Sequence, residues 1–142
     1  TPSKPSIVVK EKIIGSLVHP TGFTKVWDDS GSGAWKDGAL YKMNAPSGYT
    51  CLGGVAMNSH STMPDKKKYC CVKNVYIVKG DVKQVWNDQG EANKPFSAWK
   101  VTQGSEANGL EGGNFVPVNG YNKPSPGYLL NQWIAFEADG QK

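Results

Sequence analysis

Arginine is missing from this chain. All 16 basic residues are lysine, against 12 acidic ones, for a net charge of +4. Nucleic-acid and phosphate readers lean on the planar guanidinium fork, which grips phosphate through two parallel hydrogen bonds. Its absence argues against a nucleic-acid partner. The one dense lysine cluster, Lys66-Lys67-Lys68, reads as a solvated turn, with contact to an anionic surface as the minority reading. No apolar run approaches the roughly 20 residues that span a bilayer, so a soluble chain is expected. The first residue is Thr1, not an initiator Met. We read it as a natural mature end and expect secretion, with a cytoplasmic location as the alternative.

Catalytic signatures are also lacking. The only histidines are His19 and His60. Neither falls in a Gly-x-Ser-x-Gly or His-Glu-x-x-His pattern, so no enzyme, cofactor or catalytic residue is expected. Cys51, Cys70 and Cys71 cannot all pair within the chain. Adjacent strand residues point to opposite faces, so at most one of Cys70 and Cys71 can meet Cys51. The plain reading makes all three small apolar core residues, with a bridge from Cys51 to Cys70 or Cys71 as the alternative.

What the chain does hold is turn-formers, 17 Gly and 9 Pro, in a sequence only 38% hydrophobic. Many short strands joined by tight turns fit that mixture better than helices do. The polarity of Ala39-Leu40-Tyr41-Lys42-Met43 and Ser97-Ala98-Trp99-Lys100-Val101 alternates as in half-buried strands. Ile7-Val8-Val9, Ile13-Ile14 and Trp133-Ile134-Ala135-Phe136 read as strands that close the fold at its two ends.

The chain also repeats itself. Lys25-Val26-Trp27-Asp28-Asp29-Ser30-Gly31 returns as Gln84-Val85-Trp86-Asn87-Asp88-Gln89-Gly90, 59 residues on. Further anchors follow in the same order: Leu40-Tyr41-Lys42 with Ala98-Trp99-Lys100, Gly53-Gly54 with Gly112-Gly113, and Tyr69-Cys70-Cys71 with Tyr128-Leu129-Leu130. We read a single domain over 1–142 with an internal duplication at approximately 25–83 and 84–132. Trp27 and Trp86, at the same repeat position, are expected to be core anchors.

The string from Thr21 to Ala34, with Trp27-Asp28-Asp29-Ser30-Gly31-Ser32-Gly33-Ala34 at its centre, is followed by Pro46-Ser47-Gly48-Tyr49-Thr50-Cys51-Leu52-Gly53. Together they resemble the vacuolar protein sorting-associated protein 62 family, whose units carry Trp-x-Asp-x-Gly-Ser-Gly-Ala and then Pro-x-Gly-Tyr/Phe-x-x-Leu-Gly. The second copy is degenerate, with Glu91-Ala92-Asn93 where Ser-Gly-Ala would stand. The resemblance covers roughly 18–132 and implies an all-β, β-prism-like arrangement with pseudo-symmetric repeats, a two-sheet β-sandwich being the alternative. It also implies binding in place of catalysis.

The sharpest candidate site is the loop from Asp28 to Asp37. Asp28, Asp29, Ser30, Ser32, Gly33 and Asp37 could take sugar hydroxyls while the Trp35 indole packs on an apolar ring face. Asp88 would be the counterpart in the second copy, and Tyr121 and Asn122 lie in a Tyr- and Asn-bearing loop suited to recognition. The competing reading is that Asp28 and Asp29 merely hold a tight turn. Asp28, Asp29, Ser30 and Asp37 offer the oxygen donors of a calcium set, but their spacing departs from the usual acidic loop, so no metal ligand is assigned. The expectation is a lectin-like module that binds a glycan or cell-surface ligand. The alternatives are an intracellular adaptor for extended peptides and a defence or toxin protein with peripheral membrane contact. Oligomerisation is left open.

Overall fold

A computed structural model describes residues 9–33, 35–89, 94–106, 108–124 and 126–133. It is all-β. The strands are β1 (Leu17–Val18), β2 (Gly22–Asp28), β3 (Ala39–Asn44), β4 (Tyr49–Thr50), β5 (Gly54–Met57), β6 (Cys71–Lys73), β7 (Ile77–Asn87), β8 (Phe96–Gln103), β9 (Gly109–Leu110), β10 (Phe115–Asn119) and β11 (Gly127–Asn131). Two three-residue 3-10 turns, Lys66–Lys68 and Asn74–Tyr76, flank β6. The sheets are antiparallel, with orders β2-β3-β5, β1-β6-β4 and β10-β8-β7-β11-β9. Both a prism-like arrangement and a sandwich are compatible with these sheets.

Laid end to end, the two small sheets reproduce the large one. The order β5-β3-β2 followed by β1-β6-β4 matches β10-β8-β7-β11-β9 strand for strand, with β7 standing for β2 and β1 together. The break has a cause: Pro20 lies between β1 and β2 and has no N–H to give a ladder. The corresponding stretch of β7 runs uninterrupted for 11 residues. Residues 17–73 and 77–131 thus follow one plan, and the correspondence starts upstream of the repeated tryptophan string. Cys71 faces Val18 in the first half and Leu129 faces Val78 in the second, and both side chains are completely buried.

Each half has its own apolar cluster. Ala39, Tyr41, Met43 and Val55 form one, with Phe23, Cys51, Met57 and Tyr69 packed on it. Val78, Val82, Trp99, Val101 and Leu129 form the other. Tyr41 and Trp99 are equivalent, each the central residue of its alternating strand. The halves meet where β10 lies against β2, β3 and β5. There Gly54 lets Pro117 approach so closely that a Cβ would stand 2.6 Å from the proline Cδ.

Three expectations need correction. Trp27 and Trp86 are not core anchors. In β2 the register moves from Lys25↔Tyr41 to Trp27↔Leu40, and in β7 from Gln84↔Trp99 to Trp86↔Ala98. Val26 and Val85 are therefore extra residues. A bulge of this kind flips every following side chain to the other face. It turns both indoles away from the Tyr41 and Trp99 face, and Trp86 is 51% exposed. Ile13-Ile14 is no strand: the chain turns there, with Ser16 N–H donating to Ile13 O at 3.0 Å and Gly15 at φ 88°. The cysteines are not all reduced: Cys51 and Cys71 form a disulfide and Cys70 is a free, exposed thiol. Of the expected closing strands, Ile7, Val8, Ile134, Ala135 and Phe136 lie outside the described residues, and Val9 is in no strand.

Candidate functional site

The loops that follow β2 and β7 are built alike. Asp28 Oδ1 accepts the Ser30 N–H at 3.0 Å, and Asn87 Oδ1 accepts the Gln89 N–H at 3.0 Å. This is the Asx turn that such side chains form with backbone two residues on. The next residue closes the loop. Asp29 N–H donates to Gly38 O at 3.1 Å while Asp29 Oδ1 accepts Gly38 N–H at 2.9 Å. In the second half Asp88 N–H donates to Phe96 O at 3.2 Å and Asp88 Oδ1 accepts Phe96 N–H at 2.8 Å. The repeated acidic pair thus first does structural work: it ties the two ends of each loop together.

The outer face between the halves is filled by the displaced aromatics. Phe96 stacks with Trp27 at 5.1 Å and with Trp86 at 5.6 Å between ring centroids. Trp27 Nε1 donates to Lys94 O at 3.2 Å. Lys94 then reaches across to Asp28 Oδ1 at 2.5 Å and to the Ser30 hydroxyl. Together with the two Ser30 hydrogen bonds and Lys25 at 3.3 Å, this holds the Asp28 carboxyl far below the usual carboxylate range, Lys94 being the largest cause. Asp28 and Ser30 are therefore engaged in joining the two loops.

The other side of the first loop differs. Asp29, Asp37 and His60 converge, each offering one nitrogen or oxygen, with all three atoms within 4.8 Å of one another. His60 Nε2 is hydrogen bonded to Asp29 Oδ1 and lies 3.7 Å from Asp37 Oδ1. The Gly38 N–H, then His60, lower the Asp29 pKa against the opposing effect of burial. Trp35 projects from this loop 87% exposed, with the Lys36 ammonium 4.5 Å from its ring centroid. Gly33 adopts φ 76°, a left-handed conformation that a residue with a Cβ resists. Ser32 N–H donates to Asp29 O at 3.0 Å, which tightens the start of the loop.

The second half keeps the pair Asp88 and Tyr121. Asp88 is buried with its Oδ2 unpartnered, and the Tyr121 hydroxyl pKa is raised by burial and then by the neighbouring Asp88 carboxyl. Asn122 is exposed beside them. The structure therefore separates the sequence candidates into three groups. Asp28 and Ser30 belong to the joint between halves, Asp88 and Tyr121 to the second clasp, and Asp29, Asp37 and Trp35 to the open side of the first loop. Asp28, Asp29, Ser30 and Asp37 divide between two partners, the first and third meeting Lys94 and the other two His60. The sequence marks the segment 58–64, His60 within it, as the polar counterpart of the Tyr121 loop, but gives His60 no role of its own and does not single out Lys94. A signal for His60 existed: Met57 and Val118 hold the same register position, opposite Ala39 and Ser97, so His60 and Tyr121 each fall three residues later.

The fold and these loops define an all-β protein of two similar halves, each carrying one aspartate-clasped loop. The family model of vacuolar protein sorting-associated protein 62 matches residues 5–129, and the chain belongs to that family. Among solved structures, the crystal structure of GNIP1Aa from Chromobacterium piscinae is similar, at 34% identity and a TM-score of 0.64 over 78% of this chain. The matched region is 22% of that protein, so the chain spans under a quarter of its length. No curated protein matches the chain.

Proposed function

We propose that the chain is a non-enzymatic recognition module that binds a glycan or other cell-surface ligand through the open side of its first loop. The observation that carries this reading is Trp35, a large apolar ring left 87% exposed two residues before Asp37, which itself lies 3.7 Å from His60. An exposed indole next to oriented polar groups suits a sugar, whose apolar face stacks on the ring while its hydroxyls meet carboxylate and imidazole. The second loop lacks these features. It is one residue shorter, and counted back from the closing residues Phe96 and Gly38 it has Asn93 and Pro95 where the first has Trp35 and Asp37. One working loop is thus proposed, braced by its counterpart through Lys94. The Cys51–Cys71 bridge supports an oxidising, extracellular setting, where disulfides form and persist.

The test is a glycan array probed at high protein concentration with the native chain and with Trp35→Ala. Binding by the native chain that the variant loses is the expected result. Silence across the array, or equal binding by both proteins, refutes the reading.

A further inference from the structure

The first clasp contains more chemistry than a clasp needs. In the second half the residue beside the clasping aspartate Asp88 is a tyrosine, Tyr121. In the first half the same place is taken by the His60 imidazole on Asp29. The second loop closes without an imidazole, since both clasps make the same pair of backbone hydrogen bonds. The first half also brings in Asp37, where the second has Pro95 immediately before the clasped residue. Neither the imidazole nor the extra carboxylate is required by the fold, yet the two meet Asp29 at one point.

We propose that Asp29, Asp37 and His60 form a binding site for one divalent transition-metal ion of the Zn²⁺ class. One imidazole nitrogen with two carboxylates is a donor set that suits Zn²⁺, whereas Ca²⁺ takes six to eight oxygens. Donors around a tetrahedral Zn²⁺, at about 2.0–2.2 Å each, stand roughly 3.3 Å apart. The 3.7 Å between His60 Nε2 and Asp37 Oδ1 is already close to that spacing. Asp37 has a side chain 60% exposed, so it has room to close the remaining distance. The ion would replace the hydrogen bond between His60 and Asp29, while the Gly38 N–H stays on Asp29 and fixes its orientation, as outer partners of metal ligands do. With three protein ligands, a fourth position would be left for water or another ligand. The site does not depend on a glycan being the ligand.

Chelator-treated protein titrated with ZnCl2 by calorimetry, and in parallel with CaCl2, tests the assignment. One equivalent of Zn²⁺ bound, a raised melting temperature and no response to Ca²⁺ are expected. His60→Tyr rebuilds the clasp of the second half without the nitrogen ligand, and Asp37→Asn removes an exposed carboxylate. Each should melt like the metal-free protein and weaken Zn²⁺ binding at least about tenfold. Cys70→Ser should bind as the native chain does, since Cys70 is an exposed thiol able to take Zn²⁺ by itself. No Zn²⁺ binding at millimolar metal, an equal response to Ca²⁺, unchanged binding in Asp37→Asn, or binding lost in Cys70→Ser would each overturn the site. If His60→Tyr fails to fold, Asp37→Asn alone decides.

Discussion

Replacing Asp88 by alanine should destabilise the chain far more than its distance from any core cluster suggests. Asp88 is 4% exposed, and its Oδ1 accepts the N–H of Phe96, itself 7% exposed, at 2.8 Å. A hydrogen bond to a charged group contributes about 1.5–3 kcal/mol, and a buried N–H left without a partner costs a comparable amount. A loss of about 2–3 kcal/mol follows, with the polar groups partly recovering water. For a chain of this size that is a fall of about 7–10 °C in melting temperature. Asp29→Ala makes the same cut at a clasp that is only half-buried, around Gly38, where water can replace the lost acceptor, so its fall should be smaller. Thermal unfolding followed by circular dichroism reads both. An Asp88→Ala midpoint within about 2 °C of the native chain, or an Asp29→Ala loss exceeding it, would refute the claim that these aspartates are loop clasps.

Further outcomes follow from the same geometry. The disulfide joins residues 20 apart, so Cys51→Ser with Cys71→Ser should cost about 3 kcal/mol by chain entropy; no change in denaturant midpoint contradicts this. Alkylation followed by intact mass should find one free thiol, Cys70, before reduction and three after it. Asp28, Asp29 and Asp81 have folded pKa values held below the ordinary carboxylate range, the first and third chiefly by Lys94 and Lys123. Depressed acids stabilise the fold above about pH 4 and lose that contribution as pH falls through and below it. The melting temperature should therefore be level from pH 7 to about 5 and drop in stronger acid, and a flat profile to pH 2 counts against these contacts. Gly54→Ala places a Cβ 2.6 Å from Pro117 Cδ, and about 1–3 kcal/mol of destabilisation is expected on chemical denaturation.

The strands at 39–43 and 97–101 were legible because their polarity alternates and one face is buried: Ala39, Tyr41 and Met43 on one, Ser97, Trp99 and Val101 on the other. The turn chemistry of Asp28 and Asp29 was legible too, as the competing reading of the same loop. The faces of Trp27 and Trp86 were not. A single extra residue in each strand reverses them, and nothing in Lys25-Val26-Trp27 marks Val26 as that residue without its partner strand. The partnership of His60 with Asp29 depends on the register of β5, 31 residues away along the chain, and becomes visible only when His60 is aligned with Tyr121. Among the cysteines, alternation limited the choice to one bridge, but choosing Cys71 required knowing which of the two adjacent residues faces inward.

The central claim is that the first loop recognises a ligand while the second only braces it. The most direct measurement is amide and indole chemical-shift mapping during titration with a panel of soluble glycans. The account predicts perturbations confined to Ser32–Gly38, the Trp35 indole and His60, with the Asp88 and Tyr121 clasp unmoved. Perturbations centred on the second loop or on a sheet edge, or none at saturating glycan, would contradict it.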